Sequence, residues 1–239
     1  MKKYIARFLL LILGLAIMSF GSALSDAAGL GMAPWDVLND GFSNLMDKAF
    51  HYFIADGALA DSLSARFATI GRASIFLGLI ILVADVVMHE KVGFGTIINI
   101  LIVGLIWDAC MRILPDYSAL PMSENFIIRL LMCAFSTIPG SFGMYLYIHS
   151  ALGAGPRDTL MVAVTKRAKK LSVGMIRVII EGSALVCGIL LGGKVGLGTV
   201  ILVLADGPVM ELIFRLLHFD VKTVKNENIA ETIKNLKNT

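Results

Sequence analysis

The word "GLGMAPWDVL", Gly29 to Leu38, returns as "ALGAGPRDTL", Ala151 to Leu160, at an offset of 122 residues. The same offset pairs Arg7 with Arg129, Phe20 and Gly21 with Phe142 and Gly143, Pro34 with Pro156, and Asp36 with Asp158. Further along, "KVGFGT", Lys91 to Thr96, comes back as "KVGLGT", Lys194 to Thr199, at an offset of 103 that also matches Gly71, Gly104 and Arg112 to Gly174, Gly207 and Arg215. The chain is therefore written twice. The two offsets differ by 19 residues, so the first copy carries an insertion of that length within Ser43 to Ile70, rich in Asp and Ala, which reads as a loop or surface helix.

What is duplicated is membrane-spanning. Of 239 residues, 57% are hydrophobic and only 16% charged, with a mean hydropathy of +0.80. A soluble domain interrupts its apolar residues with far more charge. Six stretches are apolar over the roughly 20 residues that a spanning helix needs: Tyr4 to Ala28, Ile70 to Met88, Val92 to Leu114, Phe126 to Leu152, Val173 to Leu191 and Val195 to Leu217. Lys2, Lys3 and Arg7 before the first stretch also suit a signal peptide. Its recurrence as a helix in mid-chain argues for retention. Cys110, Cys133 and Cys187 stand apart in apolar runs with neither CxxC nor His spacing, and read as small buried hydrophobes.

Three spans per copy is an odd number, so the copies enter the membrane from opposite sides. The fold expected is an all-α transmembrane bundle of two inverted three-helix repeats, each with an extra short amphipathic or re-entrant helix. Residues 1–114 form the first repeat, with the insertion at about 43–70. Residues 115–217 form the second, and 218–239 a polar cytoplasmic tail. Basic residues cluster in segments on the amino-terminal side (Lys2, Lys3, Arg7, Lys91, Lys166, Arg167, Lys169, Lys170 and the tail), which places both termini in the cytoplasm. Charge alone leaves six or eight crossings open; the shortness of Gly153 to Thr165 and the charges in Pro34 to Phe50 argue for six.

The two repeated words carry helix-start chemistry. Pro34 and Pro156 suit a first turn, where a missing N–H costs nothing, and Asp36 and Asp158 fall near the positive end of the dipole. Gly29, Gly31, Gly153 and Gly155 mark a break before it. In the first copy Trp35, Leu38, Phe42, Leu45, Met46 and Ala49 oppose Asp36, Asn39, Asp40, Ser43 and Asp47, as in an interfacial amphipathic helix. Two readings remain at this stage: a capped surface helix, or a broken-helix element whose free N–H groups face a solute.

"GLGMAPWDVL", "GFGTIIN", "GAGPRDTLM", "IRVIIEG" and "LLGGKVGLGTV" together resemble the YczE-like membrane proteins, related to the YitT and YyaS groups, across the chain to about Leu217. The resemblance implies a multi-pass protein of the bacterial plasma membrane. It supplies no ligand residues.

Ionisable groups within spans cost roughly 2.5–3.5 kcal/mol each on insertion scales, so they pair or line polar cavities. Glu181 with Arg177 one turn earlier, and Asp206 before Gly207-Pro208, are central, whereas Asp108 with Arg112 and Glu211 with Arg215 suit interfacial ion pairs. The candidate substrate-binding residues are Trp35, Asp36, Arg157, Asp158, Arg177, Glu181 and Asp206. Trp35 offers an aromatic wall and Arg157 a cation with a planar fork, unless Arg157 only pairs with Asp158 or a lipid phosphate. HExxH, GxSxG, paired-Asp and P-loop motifs are absent, and the four histidines are scattered. The expected role is thus non-enzymatic and without cofactor or metal: a permease or secondary transporter of a small polar or anionic solute, or else a membrane scaffold or regulatory subunit. The partners expected are the lipid bilayer and that solute, with a homodimer left open and no nucleic acid.

Overall fold

The computed structural model describes residues 2–117, 119–121, 123–168, 173–220 and 224–237, and only the backbone of residues 2, 173, 174 and 177. The described residues form ten helices and no strand. They are α1 (Lys2–Ala27), α2 (Pro34–Phe53), α3 (Gly57–Phe67), α4 (Ile70–Val87), α5 (Phe94–Met111), α6 (Phe126–His149), α7 (Pro156–Arg167), α8 (Val173–Leu190), α9 (Leu197–Leu216) and α10 (Ile229–Lys237). Five of them, α1, α4, α5, α6 and α9, are long and apolar enough to cross a bilayer. The sixth expected span is helix α8, whose apolar stretch Val178–Leu190 is shorter. Large apolar side chains such as Leu9, Ile80, Leu105, Leu131, Val178 and Leu204 lie on the outside. That is the surface lipid requires, because burial in water-soluble fashion is replaced by contact with acyl chains.

Helices α1 and α6 form the central seam. A Cβ added to Gly14 would stand 2.6 Å from the backbone N of Tyr147, and one on Gly21 would stand 2.6 Å from that of Gly140. The contacts descend α6 as they ascend α1, so the two run antiparallel. With little hydrophobic drive between helices in lipid, such close backbone approach supplies the packing energy.

Contacts come in reciprocal pairs. Arg129 donates from Nε to the carbonyl of Ala28 (2.8 Å) and from Nη2 to that of Gly29 (2.7 Å). Arg7 makes the matching bonds to Ser150 (2.7 Å) and Ala151 (2.8 Å). The Gly198 N–H donates to Leu30 O (2.6 Å), and the Gly95 N–H to Leu152 O (2.8 Å). Offsets of 122 and 103 interchange the members of each pair. The breaks share a backbone path as well: φ is 63° at Gly29 and 54° at Ala151, then 112° at Gly31 and 123° at Gly153. Each break exposes carbonyls that no helix satisfies, and the arginine and the Gly-Thr helix start of the other copy provide the donors.

Both Pro-Asp segments are helices beginning at the proline, as their spelling predicts. The insertion is helical too. It prolongs α2 beyond the length of α7 and adds α3, whose start is capped by Asp56 accepting from the Leu59 N–H (3.2 Å). The polar side of α2, read from the spacing as one face of an amphipathic helix, turns largely inward. Asn39, Asp40 and Ser43 are buried while Leu45 is exposed. The polar stripe satisfies neighbouring chain breaks: Asp40 accepts from the Lys194 N–H (2.8 Å), Ser43 donates to Ala68 O (2.7 Å) and Asn44 to Gly192 O (2.9 Å). Burying polar groups with their partners and turning leucine outward is the arrangement an apolar solvent favours.

Of the two interfacial ion pairs expected, Glu211 with Arg215 forms at 2.7 Å. Asp108 instead accepts from Thr69 Oγ1 (2.8 Å) and the Gly71 N–H (3.1 Å), tying α4 to α5. The tail is tied to the bundle. Glu227 pairs with Arg7 at 2.8 Å, its N–H donates to Ala151 O (3.0 Å), and the Ile229 N–H donates to Val92 O (3.2 Å).

Candidate functional site

The two repeated words meet. Trp35 and Arg157, equivalent positions at the start of α2 and α7, face each other with the guanidinium carbon 4.7 Å from the ring centroid. Nη2 of Arg157 also reaches Ser74 Oγ of α4 at 3.5 Å. A cation over an indole face in a desolvated place is worth up to about 2 kcal/mol, which holds the two helix starts together.

Around this contact lie four adjoining chambers. Two, of about 270 and 180 Å³, are both lined by Trp35, Tyr147, Arg157, Asp158 and Glu181. A third, of about 110 Å³, has Asp36, Asn39, Ser74, Trp107 and Arg157 in its wall. The fourth, of about 170 Å³, lies among α1, α2, α6 and α9 and is lined by Asp36, Asp206 and a set of hydroxyls. Met18 and Met144 belong to the walls of three of the four. Six of the seven candidate residues thus come together, although they are spread from position 35 to position 206. The side chain of the seventh, Arg177, lies outside the described residues, so its pairing with Glu181 does as well. Repeat-equivalent positions also line these walls: Gly78 with Glu181, and Val103 with Asp206.

The carboxylates near the helix starts are engaged by the protein itself. Asp36 accepts from Ser22 Oγ (2.5 Å) and Asn39 Nδ2 (3.3 Å). Asp158 accepts from Tyr147 Oη, which also receives the Gly155 N–H at 3.4 Å. Among the described lining residues of the four chambers, Arg157 is the one Lys or Arg, and it shares chamber walls with Asp36, Asp158 and Glu181. No cluster of three or more His, Cys, Asp or Glu suited to a metal occurs among the described residues.

Several wall residues were not singled out from the sequence. Trp107 lines one chamber and donates its indole N–H to the buried Asp26 behind it at 2.7 Å. Ser22, Ser25, Ser136, Thr137 and Ser141 supply the hydroxyls. Their signal was present as spacing: Ser19, Ser22 and Ser25 recur every third residue in an apolar helix, and Thr137 and Ser141 stand one turn apart, so each set falls on one face.

Comparison with known proteins follows the same outline. A family model described as "Family of unknown function (DUF6198)" matches residues 5–215. An "Uncharacterized protein" of Haemophilus influenzae is 30% identical over 208 residues, covering 87% of this chain and 83% of the relative. The "Uncharacterized membrane protein YczE" of Bacillus subtilis is 27% identical over 212 residues (87% and 86%), and the "Uncharacterized protein YyaS" of the same species 21% over 202 residues (84% and 88%). No solved structure matches. From α1 to the end of α9, this multi-pass membrane protein belongs to the DUF6198 family.

Proposed function

We propose that the chain is a permease or secondary transporter of a small polar solute in the bacterial plasma membrane, not an enzyme, with both termini in the cytoplasm. It is read as two inverted repeats, residues 1–114 and 115–217, followed by the 218–239 tail. The exchange of contacts at fixed offsets and the antiparallel α1–α6 seam support that reading. So does the preference of such transporters for sites at broken helices between their repeats.

One observation carries the proposal: the repeated words meet at Trp35 and Arg157, where four chambers adjoin. A scaffold has no need to keep chambers lined by charged side chains. In this reading α1 and α6 act as a pivot, and rocking of the repeats against each other opens the chambers to one side at a time.

The test is flux in proteoliposomes. Arg157→Lys keeps the charge but loses the planar fork, and Arg157→Gln loses both. Uptake is expected to fall in both variants, more in the glutamine variant, with expression and melting temperature near wild type. Full activity in Arg157→Gln, or no flux of any solute by the wild type, would leave the regulatory-subunit reading in its place.

A further inference from the structure

We propose that a chamber of about 460 Å³ between the amino end of α1, the carboxyl end of α6 and the tail binds the head of an anionic phospholipid, its phosphodiester among Lys3, Arg7 and Lys225. The inference does not depend on the transport reading.

The base of the chamber is built. The Arg7 side chain, 14% exposed, donates from Nε to Ser150 O (2.7 Å), from Nη2 to Ala151 O (2.8 Å) and from Nη1 to Glu227 (2.8 Å). Those bonds use three of the five N–H groups of a guanidinium, so one remains on each terminal nitrogen. A fork held in place in this way matches the geometry of a phosphate. Around it Lys3 and Lys225 are exposed and make no hydrogen bond or ion pair among the described residues, and the His149 ring completes the polar wall. Glu227 is the one carboxylate among the described wall residues, and it already accepts from Arg7, Tyr4 and Thr232.

The chamber lies at headgroup depth. Helices α1 and α6 run antiparallel, so the start of one and the end of the other share one face of the bilayer. Tyr145, His149, Phe214 and Phe219 cluster at that level, with ring centroids 5.0–5.7 Å apart, as aromatic side chains do at a membrane interface. Leu13 and Phe20 continue, at helical spacing, the face of α1 that begins with Lys3, Ala6 and Leu10. Phe142 and Ile138 continue the face of α6 that ends at His149. All four are exposed. A headgroup in the chamber therefore sets its acyl chains against apolar helix faces, which a soluble anion would leave unused.

The duplication supplies an internal comparison. The arginine is common to both copies, since Arg129 makes the bonds that match those of Arg7. The charges around it are not: at the offset of 122, Lys3 corresponds to Asn125 and His149 to Ala27. Arg129 is 2% exposed, and its further acceptor is the Pro121 carbonyl (3.0 Å) rather than a carboxylate. Holding a broken loop thus needs the arginine alone. Basic pockets between spanning helices are where anionic headgroups bind. Lysines at a cytoplasmic end also set topology, so the experiment must separate charge in the chamber from charge near it.

The experiment uses the purified full-length protein in detergent micelles doped with equal amounts of phosphatidylglycerol and phosphatidylcholine of the same acyl chains, read by native mass spectrometry. The wild type should retain phosphatidylglycerol over phosphatidylcholine by about tenfold or more. Lys3→Gln combined with Lys225→Gln changes two exposed positions, so the variant should fold as wild type while losing most of that preference. Lys234→Gln, at an exposed position of α10 outside the chamber, should keep it. Sodium phosphate, compared with sodium chloride at equal ionic strength, should displace no lipid, because it has no chains for the apolar faces. Equal retention of the two lipids, an undiminished preference in the double variant, or an equal loss in Lys234→Gln overturns the proposal. Displacement by phosphate would assign the chamber to a soluble anion and overturn it as well.

Discussion

Arg157 lies over Trp35 because two equivalent positions were filled differently. Identical residues there would set two cations or two indoles against each other; one of each makes a cation–π pair across the repeats. A double-mutant cycle with Trp35→Leu and Arg157→Gln, read by thermal melting in detergent, should return a coupling of about 0.5–2 kcal/mol. Additive effects would mean that the contact holds nothing. At this scale the sequence was partly readable. The Pro-Asp starts, Glu181 and Asp206 stood out as polar groups in apolar surroundings. That Asp158 is bonded by Tyr147, or that Asp36 is bonded by Ser22, was not. Those partners lie on different helices, and their pairing follows from how the helices cross.

Among elements, the α1–α6 seam is the most exacting. A Cβ on Gly143 would stand 2.5 Å from Gly14 O, and neither backbone can retreat without parting the helices. Gly143→Val should lower the melting temperature sharply, in keeping with the roughly 1–3 kcal/mol typical of overpacking or more. Gly182→Ala, in α8 with nothing within 4 Å of the new methyl, should be neutral or slightly stabilising from helix propensity. Equal losses in the two would count against the seam. Helix positions were close to what apolar run length predicts, since span length is set by bilayer thickness. The direction α2 faces was not. Amphipathic spacing gives the angle between the two faces, but whether water or lipid lies outside decides which face turns inward.

In the whole molecule, the tail closes one end. Glu227 is bonded by Arg7, Thr232 and Tyr4, and Asn226 beside it borders the largest of the four chambers around Arg157. Burial pushes the Glu227 pKa up, but the hydrogen bonds from Arg7 and Thr232, the Arg7 charge and the Tyr4 bond outweigh it, leaving the pKa below its ordinary 4.5. A depressed carboxylate stabilises the docked state above the unfolded pKa, and that stabilisation is lost as pH falls through the folded value. Protease protection of the tail should therefore hold at neutral pH and decline in acid, and Glu227→Gln should weaken it at neutral pH and flatten the pH dependence. Protection that ignores both pH and the substitution would mean the tail docks through other contacts.

By itself the sequence determined that the chain is a membrane protein, that it is written twice, and where its long apolar helices and the two Pro-Asp helix starts lie, because apolar length, proline and repeated words are local properties. Only the tertiary structure decided that the two words touch, that each repeat's arginine holds the other's broken loop, and that six scattered candidate residues share adjoining chambers. Those are contacts between distant segments, fixed by which glycines let which backbones approach, and no local pattern encodes them.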